Sequence, residues 1–327
     1  SSLTAISIPA SVKIIGPYAF HDCVALNTVI FEHESQLNLI DDYAFLDCSS
    51  LISIEIPANV EKIGYSAFKD CHSLACVQFE KGSKLKKLDG SYGTGELGVF
   101  CDGVFENCTS LSSIEIPASV EKIGCATFKN CTTLASVVFE PQSKLKIIGG
   151  SYHVIPYTSS HYFGVFADCA ALSQIRIPAS VERIECCAFQ NCTALTSVTF
   201  EDNSNLKSIG DFSFSGCTSL VSIEIPTSVE IIGNSAFKNC ISLVDNTFTQ
   251  ESCLHRIQDH AYEGCVALST ITIPASVQAI GLAAFKKCAN LKEVKFESHS
   301  ELTEIIGPDY HINYGQDNDG AFTGCSS

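Results

Sequence analysis

The stretch Leu111–Cys131, LSSIEIPASVEKIGCATFKNC, sets a frame that returns from one end of the chain to the other with only its length adjusted. Its apolar positions (Leu111, Ile114, Ile116, Val120, Ile123, Ala126, Phe128, Cys131) fit neither the period of one long helix nor the strict alternation of one long strand. A short strand, a turn and a compact return segment in each copy is what the spacing describes. A unit of that size buries its apolar side only against a neighbouring copy, so the chain folds as a stack.

Two kinds of copy alternate. The short kind, 23 residues, begins at Leu3, Leu51, Leu111, Leu172, Leu220 and Leu268 and carries IP.SV..IG..[AT]F..C with small variations. The long kind, 25 residues or more, begins at Leu26, Leu74, Leu134, Leu195, Leu243 and Leu291. Its strand usually ends in Phe-Glu, as in Phe31-Glu32 and Phe139-Glu140, and two extra residues widen the following turn. The Pro after each short-type strand (Pro9, Pro57, Pro117, Pro178, Pro226, Pro274) has no N–H to give a ladder, so pairing stops there. The Gly of most IG pairs, such as Gly16, Gly64 and Gly124, is expected to take a backbone conformation closed to other residues.

One aromatic recurs per coil: Phe20, Phe45, Phe68, Phe105, Phe128, Phe166, Phe189, Phe214, Phe237, Phe285 and Phe322, with Tyr262 in the tenth. These are expected to stack as a buried spine. Asn246, in LVDNTF, stands where a core Ile or Val is expected and needs a partner if buried. Of the 18 cysteines, twelve mark the coils: Cys23, Cys48, Cys71, Cys108, Cys131, Cys169, Cys192, Cys217, Cys240, Cys265, Cys288 and Cys325. Stacked equivalent positions lie within disulfide reach, about 5 Å. Pairing identical rungs, however, leaves no reason for every coil to carry one, so small buried free thiols are the favoured reading. Cys76, Cys101, Cys125, Cys186, Cys187 and Cys253 lie off this ladder.

The frame L..I.I followed by a turn matches the leucine-rich repeat pattern, and IP.SV..IG..AF..C resembles the BspA-like subfamily over essentially the whole chain. The resemblance implies a surface or secreted molecule of the kind found in bacteria and trichomonad-type protists, associated with adhesion to host proteins and cells. The expected fold is of the α/β class: a leucine-rich solenoid of about twelve coils, forming one domain over residues 1–327, with a parallel sheet on the concave side and short helical or irregular returns. At the spacing of stacked strands its long axis would run about 55 to 60 Å. The chain opens SSLTAISIP and closes at Cys325-Ser326-Ser327, inside a repeat, so it looks like a piece of a longer array. Its open ends suggest end-to-end self-association.

Composition narrows the partners. A net charge of −16 repels phosphate backbones and anionic lipid heads, which argues against nucleic acid. No apolar run reaches the about 18 residues of a membrane span. There is no HExxH, P-loop, GxSxG or helix-opening GxGxxG, so no enzyme and no cofactor is expected. Asp317-Asn318-Asp319-Gly320 lacks the remaining ligands of a calcium loop, the His residues show no paired metal spacing, and no metal site is assigned. Asn107, Asn130 and Asn191 open formal Asn-Cys-Thr sequons, each enclosing a ladder Cys, and read as repeat consensus before glycan sites.

Binding has two candidate surfaces. The concave strand positions are mainly small hydroxyl residues, among them Ser53, Ser113, Ser136, Thr199 and Thr272, interrupted by charges such as Glu115 and Arg176. Three long copies carry insertions near 89–102, 149–164 and 307–320, all entering just before the [AV]F..C segment, hence on one flank. They hold Tyr92, Phe100, Tyr152, Tyr157, Tyr162, Tyr310 and Tyr314, and tyrosine combines rigid contact area with a polar tip. Tyr92, Phe100, Tyr152, Tyr157 and Tyr162 are expected to form one aromatic patch, with Tyr310 and Tyr314 as a satellite. The expected function is a non-enzymatic protein-interaction module of a cell-surface or secreted adhesin. The alternative is a cytoplasmic or filament-forming scaffold.

Overall fold

The computed structural model describes residues 2–89, 91–95, 98–149, 163–307 and 320–325, with backbone alone for 91–95 and 98–101. The chain comprises two compact units, Ser1–Leu172 and Ser173–Ser327.

In the first unit, Ala5–Ile8, Thr28–Phe31, Ser53–Ile56, Cys76–Phe79, Ser113–Ile116 and Ser136–Phe139 form one parallel sheet in chain order. Each coil then adds a second strand of two residues. Ile14–Ile15, Leu39–Ile40, Lys62–Ile63, Lys87–Leu88, Lys122–Ile123 and Ile147–Ile148 pair in parallel, again in order. The second unit repeats the plan with Gln174–Ile177, Ser197–Phe200, Ser222–Ile225 and Asp245–Phe248 in one sheet and Thr270–Ile273 beside Glu293–Phe296. Its second row runs from Arg183–Ile184 to Glu304–Ile305. Both units are parallel β-solenoids of leucine-rich type.

The α/β assignment and the helical returns are overturned: among the described residues there is no helix. The return segment is a run of tight turns, as in Ala19 N to Gly16 O, His21 N to Tyr18 O and Cys23 N to Phe20 O. Left-handed residues break the run every fourth position, at Tyr18 (φ 58°) and Asp22 (φ 56°) in the first coil, and a right-handed helix cannot pass through them. The residue before the ladder Cys is left-handed in all twelve coils, and it is Asp, Asn or Gly in every one but Lys287. Those are the residue types that tolerate this conformation.

The IG glycines have a different reason from the one expected. None of Gly16, Gly64 and Gly124 has positive φ, and around Gly16, in the first coil, a Cβ would meet nothing. A Cβ on Gly64 would collide with Asp42 of the preceding coil, and one on Gly124 with Asp89, so close approach of neighbouring coils excludes a side chain.

The alternation of short and long copies has a structural cause. A short-type strand pairs with the following long-type strand over four residues, Ser113–Ile116 against Ser136–Phe139 for example. A long-type strand meets the next short one through only one or two pairs, Thr28 with Ser53 alone, or Ser197 with Ser222 and Val198 with Ile223. The Glu after the long strand's Phe reaches back to the N–H of the residue after the short strand's Pro: Glu80 to Ala58 N at 2.8 Å, Glu140 to Ala118 N at 2.8 Å, Glu201 to Ala179 N at 3.1 Å. This carboxylate bond ties the short coil to its long successor, except before the tenth coil, where Thr249 stands in place of Glu and pairs its hydroxyl with Thr227 at 2.7 Å.

The spine forms as expected. Phe45, Phe68, Phe105, Phe128 and Phe166 are fully buried, with successive ring centroids 5.1 to 5.6 Å apart and near-parallel planes. Within the second unit Phe189, Phe214, Phe237, Tyr262, Phe285 and Phe322 form a stack of the same kind. The ladder cysteines are free thiols, and each does more than fill space. Cys131 Sγ donates to Phe105 O at 3.2 Å and Cys240 Sγ to Phe214 O at 3.2 Å, so within each unit thiols tie a coil to the spine residue of the previous one. Cys125, off the ladder, is disulfide-bonded.

Candidate interaction surfaces

Strand alternation puts the concave positions in solvent: Ser53, Glu55, Ser113, Glu115 and Ser136 are exposed, whereas Ile54, Ile114 and Val137 between them are buried. Arg176 is exposed in the second unit and lies 3.5 Å from Glu201. Ile30 and Val138, which the sequence analysis passed over, are 56% and 50% exposed on this face. Where Thr28–Phe31 and Ser53–Ile56 part after their single pair, a cavity of about 270 Å³ opens, lined by Ile30, Glu55, Cys76, Gln78 and Glu80. A shallower hollow of about 760 Å³ lies at the same kind of junction in the second unit, beside Glu201, Lys207, Glu224 and Thr227.

On the flank, the first insertion is held at both roots. Lys122 Nζ lies 2.9 Å from Asp89, and Lys69 Nζ lies 2.7 Å from Asp102 and 3.3 Å from Glu106. Between the roots, Ser91–Gly95 and Gly98–Asp102 pair as an antiparallel hairpin, with Tyr92 opposite Cys101 and Phe100 opposite Gly93 in register. Tyr152, Tyr157, Tyr162, Tyr310 and Tyr314 lie outside the described residues. Lys129 Nζ sits 5.5 Å above the Phe163 ring, where the second insertion rejoins the coil.

Three tyrosines the sequence analysis did not single out share this flank. Tyr18 and Tyr43 stack with centroids 4.7 Å apart and planes at 16°, and Tyr65 meets Tyr43 edge-on at 4.9 Å. Burial, reinforced by Tyr65 and then by Asp102, pushes the Tyr43 phenol up to about 12. The sequon asparagines are part of the ladder: Asn107 Nδ2 donates to Asp70 at 2.6 Å and Asn130 Nδ2 to Asn107 at 2.9 Å. Those amides are engaged in coil-to-coil bonds at left-handed positions, which accounts for Asn there without a glycan.

The model of the BspA type leucine rich repeat region matches residues 1–91, 98–152, 161–292 and 255–327, that is, nearly the whole chain. This chain is a BspA-type leucine-rich repeat protein. A leucine-rich repeat protein from Bacteroides ovatus is similar in fold, with a TM-score of 0.67 and 24% identity over 92% of this chain and 74% of its own. The pneumococcal vaccine antigen PcpA is similar at a TM-score of 0.52 and 24% identity, over 91% of this chain and 69% of its own. A leucine-rich repeat protein from Eubacterium ventriosum gives 0.53 and 20%, over 97% and 81%. No curated protein matches the chain.

Proposed function

We propose that this BspA-type chain is a non-enzymatic protein-interaction module of a cell-surface or secreted protein, and that it makes its main contact on the insertion flank. Membership of the family and the fold likeness to a pneumococcal vaccine antigen support the general role. The observation that carries the choice of face is the anchoring of the first insertion: paired lysines from the coils on either side, Lys69 and Lys122, grip its roots. A tethered loop presents its aromatic residues at lower entropic cost than a free one. Tyr92, Phe100, Tyr152, Tyr157 and Tyr162 form the proposed contact set, with Tyr310 and Tyr314 as its satellite.

Binding to a panel of immobilised extracellular-matrix and cell-surface proteins tests this, followed by interferometry on any protein retained. Replacing Gly149–Gly164 by a plain long-type turn should leave the melting temperature unchanged and weaken binding about tenfold or more. Binding that survives this replacement but is lost in Glu115→Ala/Arg176→Ala moves the site to the concave face. A panel with no bound protein removes the adhesin reading.

A further inference from the structure

The short copy of the seventh coil departs from its frame where the other short copies read IG: Ile184-Glu185 is followed there by two adjacent cysteines, Cys186 and Cys187. Neither belongs to the ladder. Their sulfurs lie 3.3 Å apart, in thiol-to-thiol contact. Successive side chains of a strand point to opposite faces, so a contact of this kind between neighbours needs a turn. Cys187 supplies it with a left-handed φ of 58°. Its backbone is held in that turn on both sides, the N–H donating to Asp211 O at 2.8 Å and the carbonyl accepting the Gln190 N–H at 3.0 Å.

The two thiols differ in access. Cys186 is half-buried, whereas Cys187 is only 3% exposed, and the bond with Cys186, then burial, push the Cys187 thiol up. Attack on a reagent from solvent therefore falls to Cys186, with Cys187 behind it as the second thiol. Ladder cysteines of the same unit are engaged differently, since Cys217 Sγ donates to Phe189 O at 3.1 Å and Cys240 Sγ to Phe214 O at 3.2 Å. Cys125 stands six residues before its ladder cysteine, as Cys186 does, and it is disulfide-bonded. Oxidised sulfur thus already occurs at this position of the frame.

We propose that Cys186 and Cys187 are a redox modification site that exchanges with a low-molecular-weight disulfide and closes to a disulfide between neighbours. The Cys186 thiolate attacks one sulfur of the small disulfide, whose S–S bond breaks, and one half leaves with the proton that Cys186 gave up. The Cys187 sulfur then attacks Cys186 in the mixed disulfide and expels the second half, which takes the Cys187 proton. Two cysteine thiols are oxidised and one small disulfide is reduced to two thiols, so electrons and protons balance. Adjacent Cα atoms are about 3.8 Å apart, below the about 4.4 Å at which ordinary disulfides begin, so the closed ring is strained and readily reduced. That property suits a reversible mark and not a permanent staple. The proposal goes beyond the interaction reading and does not depend on it.

The test treats the native full chain with oxidised glutathione, unfolds it in denaturant with iodoacetamide present, and locates every modified cysteine by peptide mass spectrometry. Cys186 and Cys187 should both lose alkylation and retain no glutathione, with the bond placed between them and not on Cys192, and dithiothreitol should restore both. Cys187→Ser, at unchanged melting temperature, should instead trap a stable glutathione adduct on Cys186, because no second thiol is left to expel it, and Cys186→Ser should take up none at Cys187. Phenylarsine oxide, whose trivalent arsenic bridges two neighbouring thiols, gives a measurement that needs no variant: added to the native chain before any oxidant, it should protect both cysteines from alkylation. Thiols left untouched by glutathione, glutathione retained on Cys186 of the native chain, a bond from either cysteine to Cys192, a Cys187→Ser chain without adduct, or no protection by the arsenical overturns the proposal.

Discussion

Asn246 and Tyr262, two residues of the tenth coil that put polar groups where the repeat has apolar ones, meet in the core. Tyr262 is fully buried between Phe237 and Phe285, each 5.2 Å away, and burial pushes its phenol well above the usual range. The Asn246 carboxamide pulls it back, although the contact falls short of full hydrogen-bond geometry on both sides. Each polar group makes the other tolerable. Asn246→Val and Tyr262→Phe should each cost about 1 to 2 kcal/mol in chemical denaturation, because each strands a buried polar group. The double variant, which restores the repeat's usual residues, should be at least as stable as the native chain. Additivity of the single effects would mean that the pair does not interact.

Much of this was legible beforehand. The spine Phe and the buried Ile and Val of each strand recur at fixed offsets, so periodicity alone placed them. The second strand row escaped notice because two residues such as Lys62–Ile63 carry no period. The Glu80 and Glu140 bonds were hidden because Phe-Glu looks like an ordinary strand end, and only stacking shows what the carboxylate reaches. Tyr18 and Tyr43 each stand five residues before their ladder cysteine, so the period alone would have stacked them, whereas Tyr65 stands six before Cys71 and its edge-on contact with Tyr43 has no sign in the linear order. The insertions have no repeat to lean on, and their aromatic residues remain a proposal built on composition.

The Glu140 bond to Ala118 gives a direct test of the two-coil unit. Glu140→Ala should cost about 1 kcal/mol in urea unfolding, in the range of other charged caps on backbone N–H groups, and Glu140→Gln less. Glu55→Ala, on an exposed concave position, serves as the control. A Glu140→Ala cost no larger than that of Glu55→Ala would show that the carboxylate does not lock the coils.

The thiol ladder predicts a sharp split in cysteine reactivity. Burial pushes Cys48, Cys240 and Cys288 up to about 12, and a thiol that does not ionise is a poor nucleophile. Exposed Cys253 should react with an aromatic disulfide reagent at once, whereas the buried ladder cysteines should react only as the chain unfolds in denaturant. Rapid labelling of Cys131 or Cys240 in the native chain, located by peptide mass spectrometry, would contradict the buried S–H bonds.

Glu263 should make stability depend on acid pH in a defined direction. Its side chain is only 8% exposed, in a row where Lys238 Nζ lies 2.8 Å away, His260 Nδ1 3.0 Å and Lys287 Nζ 3.8 Å. Burial by itself would raise the Glu263 carboxyl, but Lys238 and then His260 more than offset it, and the group is held below its ordinary value of 4.5. A carboxylate depressed in the folded state stabilises the fold fully above its unfolded value and loses that contribution as pH falls through the folded one. The melting temperature should therefore decline below about 4.5 in part through this group. Glu263→Gln should melt earlier than the native chain at neutral pH and close on it as the pH falls. Native and variant curves that stay parallel from neutral pH down to about 3, well below the ordinary value of 4.5, would show that the ionised carboxylate contributes nothing, whatever its contacts.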